Sequence, residues 1–99
     1  MINKEHEIKR MLRGFEGSFL EINQKLNDFG FYLEEEDLDI DVIKKRPELY
    51  YFKKIEDGEL SIIFKYRVKG ICYSAETPVP KTLEELEIQI TWVSDIVLE

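Results

Sequence analysis

Apolar residues recur every three or four positions through the first thirty residues, and this spacing predicts two amphipathic helices. The two sets are Ile8, Met11, Leu12 and Phe15, followed by Phe19, Ile22, Leu26 and Phe29. We place the helices at about 3–13 and 19–28, with Gly30 as a C-terminal stop. Ser18 and Glu21 have the spacing of a capping box at the start of the second helix. One long kinked helix is the alternative.

In the middle of the chain, apolar and polar residues alternate, which predicts a β-strand. The apolar positions are Leu60, Ile62, Phe64, Tyr66 and Val68. Asp57-Gly58 suits a two-residue hairpin turn, because both residue types tolerate positive φ. This turn sets Tyr51 opposite Phe64 and Leu49 opposite Tyr66.

A second turn at Lys69-Gly70 would place Ile71 opposite Val68 and Tyr73 opposite Tyr66. Both turns put apolar residues on one face of the sheet, and this agreement supports a three-stranded antiparallel meander. The predicted strands are at about 48–56, 60–69 and 71–77.

Residues 83–97 fit two different patterns. Apolar residues at helical spacing are Leu83, Leu86, Ile90, Val93 and Val97. A capping-box sequence, Thr82 to Glu85, precedes most of them and favours a C-terminal helix. The alternative is a fourth strand, because Leu86, Ile88, Ile90 and Trp92 also alternate and the segment is rich in β-branched residues. We predict the helix.

These elements predict an α+β fold: one domain, residues 1–99, with helices packed on one face of a small antiparallel sheet. The chain is 43% hydrophobic and 12% aromatic, which suits a compact core. The predicted core residues are Leu12, Phe19, Ile22, Leu26, Tyr51, Ile62, Phe64, Tyr66, Tyr73, Leu86 and Ile90.

Charge is distributed unevenly along the chain. The formal net charge is −7, yet residues 1–33 are neutral and residues 44–70 carry +4. Residues 34–43 carry six acids and no base, and residues 71–99 carry −5. The acidic charges either neutralise the basic middle within the fold or form an outward surface that attracts a basic partner.

The most acidic stretch, residues 34–41, is called the acidic segment below. Its acids are Glu34, Glu35, Glu36, Asp37, Asp39 and Asp41. In an extended conformation, Leu38, Ile40 and Val42 would point inward and the aspartates outward, about 6.7 Å apart. Such a row imitates the phosphates of a nucleic-acid strand and could occupy a basic groove. The alternative is a solvated edge strand that discourages aggregation.

A calcium-binding loop is a weaker interpretation of the same residues. Asp37, Asp39 and Asp41 match positions 1, 3 and 5 of an EF-hand loop, and Glu48 matches position 12. Val42 stands where the loop needs glycine, and three cations and a proline follow it. We therefore predict no metal site.

The second face of the predicted meander is a candidate interface. It carries Tyr50, Phe52, Lys54, Ile63, Lys65, Arg67 and Cys72. Aromatic and basic side chains together can bind single-stranded nucleic acid, but the net charge opposes polyanion binding, so none is expected directly. Such a face is more often covered by a helix or another subunit. In a C-terminal helix, Trp92 would lie on a second apolar stripe that could also bind a partner.

Catalytic signals are weak. His6 is the only histidine and Cys72 the only cysteine, so neither a multi-histidine metal site nor an intramolecular disulfide can form. There is no glycine-rich phosphate loop, and no cofactor is implied. No apolar run reaches the roughly 20 residues that span a bilayer, so no membrane contact and a cytoplasmic location are expected.

These observations predict a small acidic, non-enzymatic inhibitor that covers a basic surface on a target protein. A nuclease or another nucleic-acid-handling protein is the suggested class of partner. Immunity proteins, antitoxins and phage anti-defence proteins act in this way, and the analogy is one of size and charge alone. The alternative is an assembly subunit that self-associates through the second sheet face or Trp92.

Overall fold

A computed structural model describes residues 4–46, 48–69 and 82–98 of the chain. These residues form an α+β fold, as the sequence predicts. The helices are α1 (Lys4–Leu12), α2 (Phe19–Asp28) and α3 (Ile40–Lys45), with a 3-10 turn at Glu35–Asp37. The strands are β1 (Glu16–Ser18), β2 (Glu48–Ile55), β3 (Gly58–Val68), β4 (Glu87–Val93) and β5 (Val97–Leu98).

The two N-terminal helices lie where the apolar spacing places them. Ser18 is the N-cap of α2, but its side chain makes no capping hydrogen bond. Instead the Phe19 amide donates to the Leu86 carbonyl at 2.9 Å, so α2 begins directly against the chain that leads into β4. Gly30 has φ +91°, a left-handed conformation that suits glycine after a helix. None of the described helices has the length and apolar character needed to cross a bilayer.

The strands form one antiparallel sheet in the order β1-β4-β3-β2, and β5 also pairs with β3. A single antiparallel bridge between Tyr32 and Phe52 lies along β2 at the opposite edge from β1. β4 thus lies beside β3, although about twenty residues separate the two strands in the sequence.

The β2–β3 hairpin is confirmed, but its register differs from the prediction by two residues. Tyr51 pairs with Ile62 and Leu49 with Phe64. Ile55 pairs with Gly58, so the two turn residues are 56–57 rather than the predicted 57–58. Gly58, now the first residue of β3, has φ +151°, and no described non-glycine residue has a positive φ. A shift of two keeps every side chain on its predicted face, so the apolar pattern alone could not detect it.

The predicted C-terminal helix is wrong, and the alternative strand forms instead as β4. Thr82 does cap locally, since its Oγ1 accepts from the Glu85 amide at 3.3 Å, but only a turn follows. Ile88 and Ile90 are buried in alternation along β4, where β-branched side chains fit the pleated surface. The predicted strand 71–77 and its Lys69-Gly70 turn lie outside the described residues.

We call the helix-covered side of the sheet the inner face and the opposite side the outer face. All predicted core residues are buried except Tyr73, which lies outside the described residues. On the inner face, the rings of Tyr51 and Phe64 stack at a centroid distance of 5.6 Å. The Tyr51 hydroxyl donates to Asn23 Oδ1 at 2.7 Å, and the Tyr66 hydroxyl donates to the Ile43 carbonyl at 2.6 Å. Burial raises the pKa of both phenols.

Candidate functional site

The acidic segment is not extended, so the conformation that the phosphate-like row of aspartates requires is not formed. It forms the 3-10 turn and then enters α3, with Asp39 as the N-cap. Asp39 Oδ1 accepts from the amides of Asp41 (2.8 Å) and Val42 (3.3 Å). An aspartate at this position satisfies helix amides that would otherwise lack partners, and this favours a short helix over a strand.

The side chains of the acidic segment therefore do not alternate between an inner and an outer face. Leu38, which would point inward in an extended segment, is 42% exposed, while Ile43 is buried and anchors α3 to the core. The evenly spaced row of aspartates that would imitate nucleic-acid phosphates is not formed. A negative surface remains, but it is arranged around a turn rather than along a line.

Asp37 differs from the other acids of the segment. Its carboxylate is 2.9 Å from an Arg46 guanidinium nitrogen, and its side chain is only 17% exposed. Five acids remain exposed on the segment: Glu34, Glu35, Glu36, Asp39 and Asp41. Asp37 is the one acid of the segment that forms an ion pair within the described part of the chain.

A groove of about 440 Å³ adjoins the acidic segment at the edge of the sheet. We call it the Tyr32–Phe52 groove; it is lined by Gly30, Tyr32, Leu33, Glu34, Phe52, Lys54 and Glu59. The backbones of Tyr32 and Phe52 exchange two hydrogen bonds of 2.9 Å, which holds both rings on the outer face. Tyr32 is 56% exposed. Because Glu34 lines this groove, an aromatic surface and the acidic segment are continuous.

The predicted interface residues of the meander do lie together on the outer face. Tyr50 and Phe52 of β2 share it with Lys65 and Arg67 of β3. Trp92 joins them, because it pairs with Lys65 on β4 rather than forming a helix stripe. Cys72, which was assigned to the same face, lies outside the described residues.

Trp92 and Lys65 make direct contact. The Lys65 ammonium lies 5.3 Å from the centre of the indole ring, within the range of a cation–π interaction. Trp92 remains 49% exposed. At the β2 edge, the Tyr50 hydroxyl donates to Glu48 Oε1 at 2.7 Å, and this hydrogen bond raises the pKa of Tyr50.

The structure also brings together a cluster of bases along α1 that was not predicted from the sequence. His6, Lys9, Arg10 and Arg13 line a groove of about 560 Å³, which we call the α1 basic groove. Their i, i+3, i+4, i+7 spacing places them on one helix face, and that spacing was visible in the sequence. It escaped notice because Glu5 and Glu7 offset the charge when residues are counted along the chain.

Within the described ranges, no group of three or more histidine, cysteine, aspartate or glutamate side chains is arranged to hold a metal ion. Asp39, proposed as one ligand of a calcium loop, instead bonds to helix amides. Comparison of the chain with protein-family models, with curated proteins and with solved structures gives no match.

Proposed function

We propose that this chain is a non-enzymatic binding protein whose acidic segment covers a basic surface on a protein target and thereby inhibits it. The observation that carries the proposal is the exposed charge of that segment. It contains six acids in eight residues, and Asp37 alone forms an ion pair in the part of the chain that the structure describes. Neighbouring carboxylates repel one another, and the cations of a partner would relieve that repulsion.

The Tyr32–Phe52 groove supports the same proposal. Charged contacts steer association and set specificity, whereas buried aromatic and aliphatic anchors supply most binding energy. Leu38 is exposed within the acidic segment. Tyr32 is exposed in the groove that Glu34 of the same segment also lines. A partner with lysine or arginine side chains around an apolar residue would match this surface.

The proposed mechanism has two steps. The negative surface first attracts the target over a Debye length of about 8 Å at physiological salt. The acidic segment then covers the target's cations, which excludes the anionic substrate that they normally bind. A nuclease or another nucleic-acid-handling protein is the suggested class of target, because such proteins expose basic grooves.

The test uses charge reversal at acids whose side chains form no ion pair or hydrogen bond with a residue that the structure describes. Asp37 and Asp39 are left unchanged, because the first pairs with Arg46 and the second caps α3. The variant is Glu35→Lys/Glu36→Lys/Asp41→Lys. The wild-type protein and this variant are immobilised and exposed to host lysate at low and high salt, and the bound proteins are quantified by mass spectrometry.

The matched control is Glu7→Lys/Glu56→Lys/Glu84→Lys, which changes the net charge equally at exposed sites outside the acidic segment. We expect a basic protein to bind the wild type and the control, to be lost from the first variant, and to lose its nucleic-acid activity when bound. If both variants lose the basic protein equally, the binding depends only on net charge, and the proposal is overturned. Equal retention by both variants would also overturn it.

A second candidate function is self-association through the outer face. The observation that favours it is the exposure of large apolar residues there, with Trp92, Tyr50 and Val97 at 49%, 38% and 50%. Each lies on the face opposite the helices, where no described element packs. Contiguous exposed apolar surface commonly marks an interface.

This second function predicts a concentration-dependent oligomer. Tyr50→Lys/Trp92→Lys should give a monomer by sedimentation velocity, and the acidic-segment variant should leave the oligomer intact. A wild-type protein that stays monomeric up to high micromolar concentration would exclude self-association and leave the inhibitor proposal standing.

A further inference from the structure

The α1 basic groove continues toward Trp92 of β4. A second groove, of about 240 Å³, is lined by Arg13, Gly14, Thr91, Trp92 and Val93. Arg13 belongs to both grooves and joins them. A row of bases on α1 therefore leads to a groove that Trp92 of β4 also lines.

The turn after α1 keeps this passage open. Gly14 has φ +68°, and a Cβ added there would meet no atom of a described residue within 4 Å. The chain then returns to the sheet, where the Ile90 amide donates to the Phe15 carbonyl at 2.8 Å. This hydrogen bond fixes the end of α1 beside β4.

The bases of the groove have few partners among the described residues. Lys9 forms an ion pair with Asp95, and that contact holds the pKa of the Asp95 carboxyl below its usual range. Arg10 and Arg13 form no ion pair with any residue that the structure describes. Two guanidinium groups therefore remain available to bind an anion, and guanidinium matches phosphate geometry well.

We propose that this joined surface binds a nucleotide, with the base stacked on Trp92 and the phosphates held by Arg13 and Arg10. Aromatic rings beside cations are the common means of binding unpaired nucleotides, because every base has a face that stacks and phosphates attract the cations. Lys65, already placed on the indole, adds positive charge next to the stacked base.

The net charge of −7 suggested that nucleic acid would be repelled, but the arrangement in three dimensions separates the charges. Glu34 and the Tyr32–Phe52 groove lie at the β2 edge of the sheet. Arg13 and Trp92 lie at β4, toward the opposite edge. At the α1 basic groove itself, Lys9 is paired with Asp95, and Arg10 and Arg13 leave a local excess of positive charge. The site is independent of the inhibitor proposal.

Trp92 is the only tryptophan of the chain, so its fluorescence reports directly on the site. The experiment titrates the full chain at low salt with ADP, with an eight-nucleotide single-stranded oligothymidine, and with dextran sulfate, which has charge but no base. We expect quenching of Trp92 fluorescence by ADP or by the oligonucleotide, weakening as salt is raised. Quenching by ADP identifies a free nucleoside phosphate as the ligand, and quenching by the oligonucleotide alone identifies a single strand.

Variants separate the roles of the residues. Arg10→Ala/Arg13→Ala should weaken binding about tenfold or more. The control Lys45→Ala/Lys54→Ala, which also removes two exposed cations but outside both grooves, should change it less than about twofold. Trp92→Ala, measured by the anisotropy of a labelled oligonucleotide, should weaken binding roughly fivefold or more. Circular dichroism confirms that each variant folds.

Three outcomes would overturn the proposal. The first is no change in Trp92 fluorescence with any nucleotide at millimolar concentration and low salt. The second is binding of dextran sulfate as tight as that of the oligonucleotide, which would indicate a general polyanion surface. The third is wild-type affinity in the Arg10→Ala/Arg13→Ala variant. An acidic segment of a second copy bound in the groove would appear as a concentration-dependent oligomer that nucleotides do not dissociate.

Discussion

The inner and outer faces of the sheet are built from the same strands but have opposite environments. On β3, Ile62 and Phe64 of the inner face are at most 2% exposed, whereas the side chains of Lys65 and Arg67 on the outer face are exposed to solvent. The three helices pack on the inner face, and no described element packs on the outer one. Alternating strands that face a core on one side and solvent on the other are typical of antiparallel sheets.

The outer face departs from that type in one respect. A solvated sheet face normally carries polar residues, but here Tyr32, Tyr50 and Trp92 are exposed on it. Burying these three side chains in the core would stabilise the fold. Because they are exposed instead, they do not contribute to stability in this way. We infer that the inner face determines stability and that the outer face, with the surfaces at its two edges, is available for binding.

The largest expected effect tests the inner face. Phe64→Ala should destabilise the protein by about 3–5 kcal/mol, because it removes a buried ring that contacts Tyr51 and Tyr66. Ile63→Ala on the outer face is the comparison and should cost about 1 kcal/mol or less, because Ile63 is only half-buried. Urea unfolding measures both, and similar losses would contradict the division between the faces.

An intermediate effect comes from pH. Burial raises the folded-state pKa of Tyr51 and Tyr66 above the unfolded value of about 10, so their contribution is fully present below pH 10. Above pH 10 the unfolded state releases protons first, and stability falls by up to about 1.4 kcal/mol per pH unit for each phenol.

Circular dichroism against pH measures this loss. Tyr51→Phe and Tyr66→Phe should each reduce the alkaline dependence, at a cost near 1 kcal/mol at neutral pH for the lost hydrogen bond. An alkaline dependence that stays unchanged in both variants would contradict the protection of these two phenols from solvent.

The smallest expected effect concerns Trp92. Trp92→Ser should change the free energy of unfolding by less than about 0.5 kcal/mol, since exposed positions rarely contribute more. Its loss should nevertheless abolish or weaken whichever binding activity the outer face supports. A loss of 2 kcal/mol or more in differential scanning calorimetry would instead assign Trp92 a structural role.

The sequence predicted those elements in which a single periodicity was present. Helices α1 and α2 and the β2–β3 hairpin each have one clear pattern, and the burial of Ile22 and Phe64 follows from it. Residues 83–97 fit both a helical spacing and a strand alternation. The strand forms because β4 pairs with β3 and β1. Tertiary pairing of this kind cannot be read from local spacing.

The candidate surfaces were predicted less completely. The acids of residues 34–41 were found by counting charges, but the capping role of Asp39 and the Arg46 pair of Asp37 depend on local geometry. The bases of the α1 basic groove can be recognised when residues are grouped by helix face. They cannot be recognised from the charge summed along the sequence, because nearby acids cancel it. The junction of this groove with Trp92 could not be predicted, because it brings together residues about eighty positions apart.

The three-residue strand β1 has a consequence for the order of folding. It pairs residues 16–18 with residues 87–89, the longest sequence separation between paired strands in the described sheet. During synthesis, α2 emerges well before β4. The apolar face of α2 therefore stays partly exposed until β4 has been synthesised and packs against it. The β2–β3 hairpin needs only local closure and can form early, whereas the β1–β4 pairing carries the greater loop-closure entropy. We therefore expect the last cooperative step of folding to be the docking of β4 between β1 and β3.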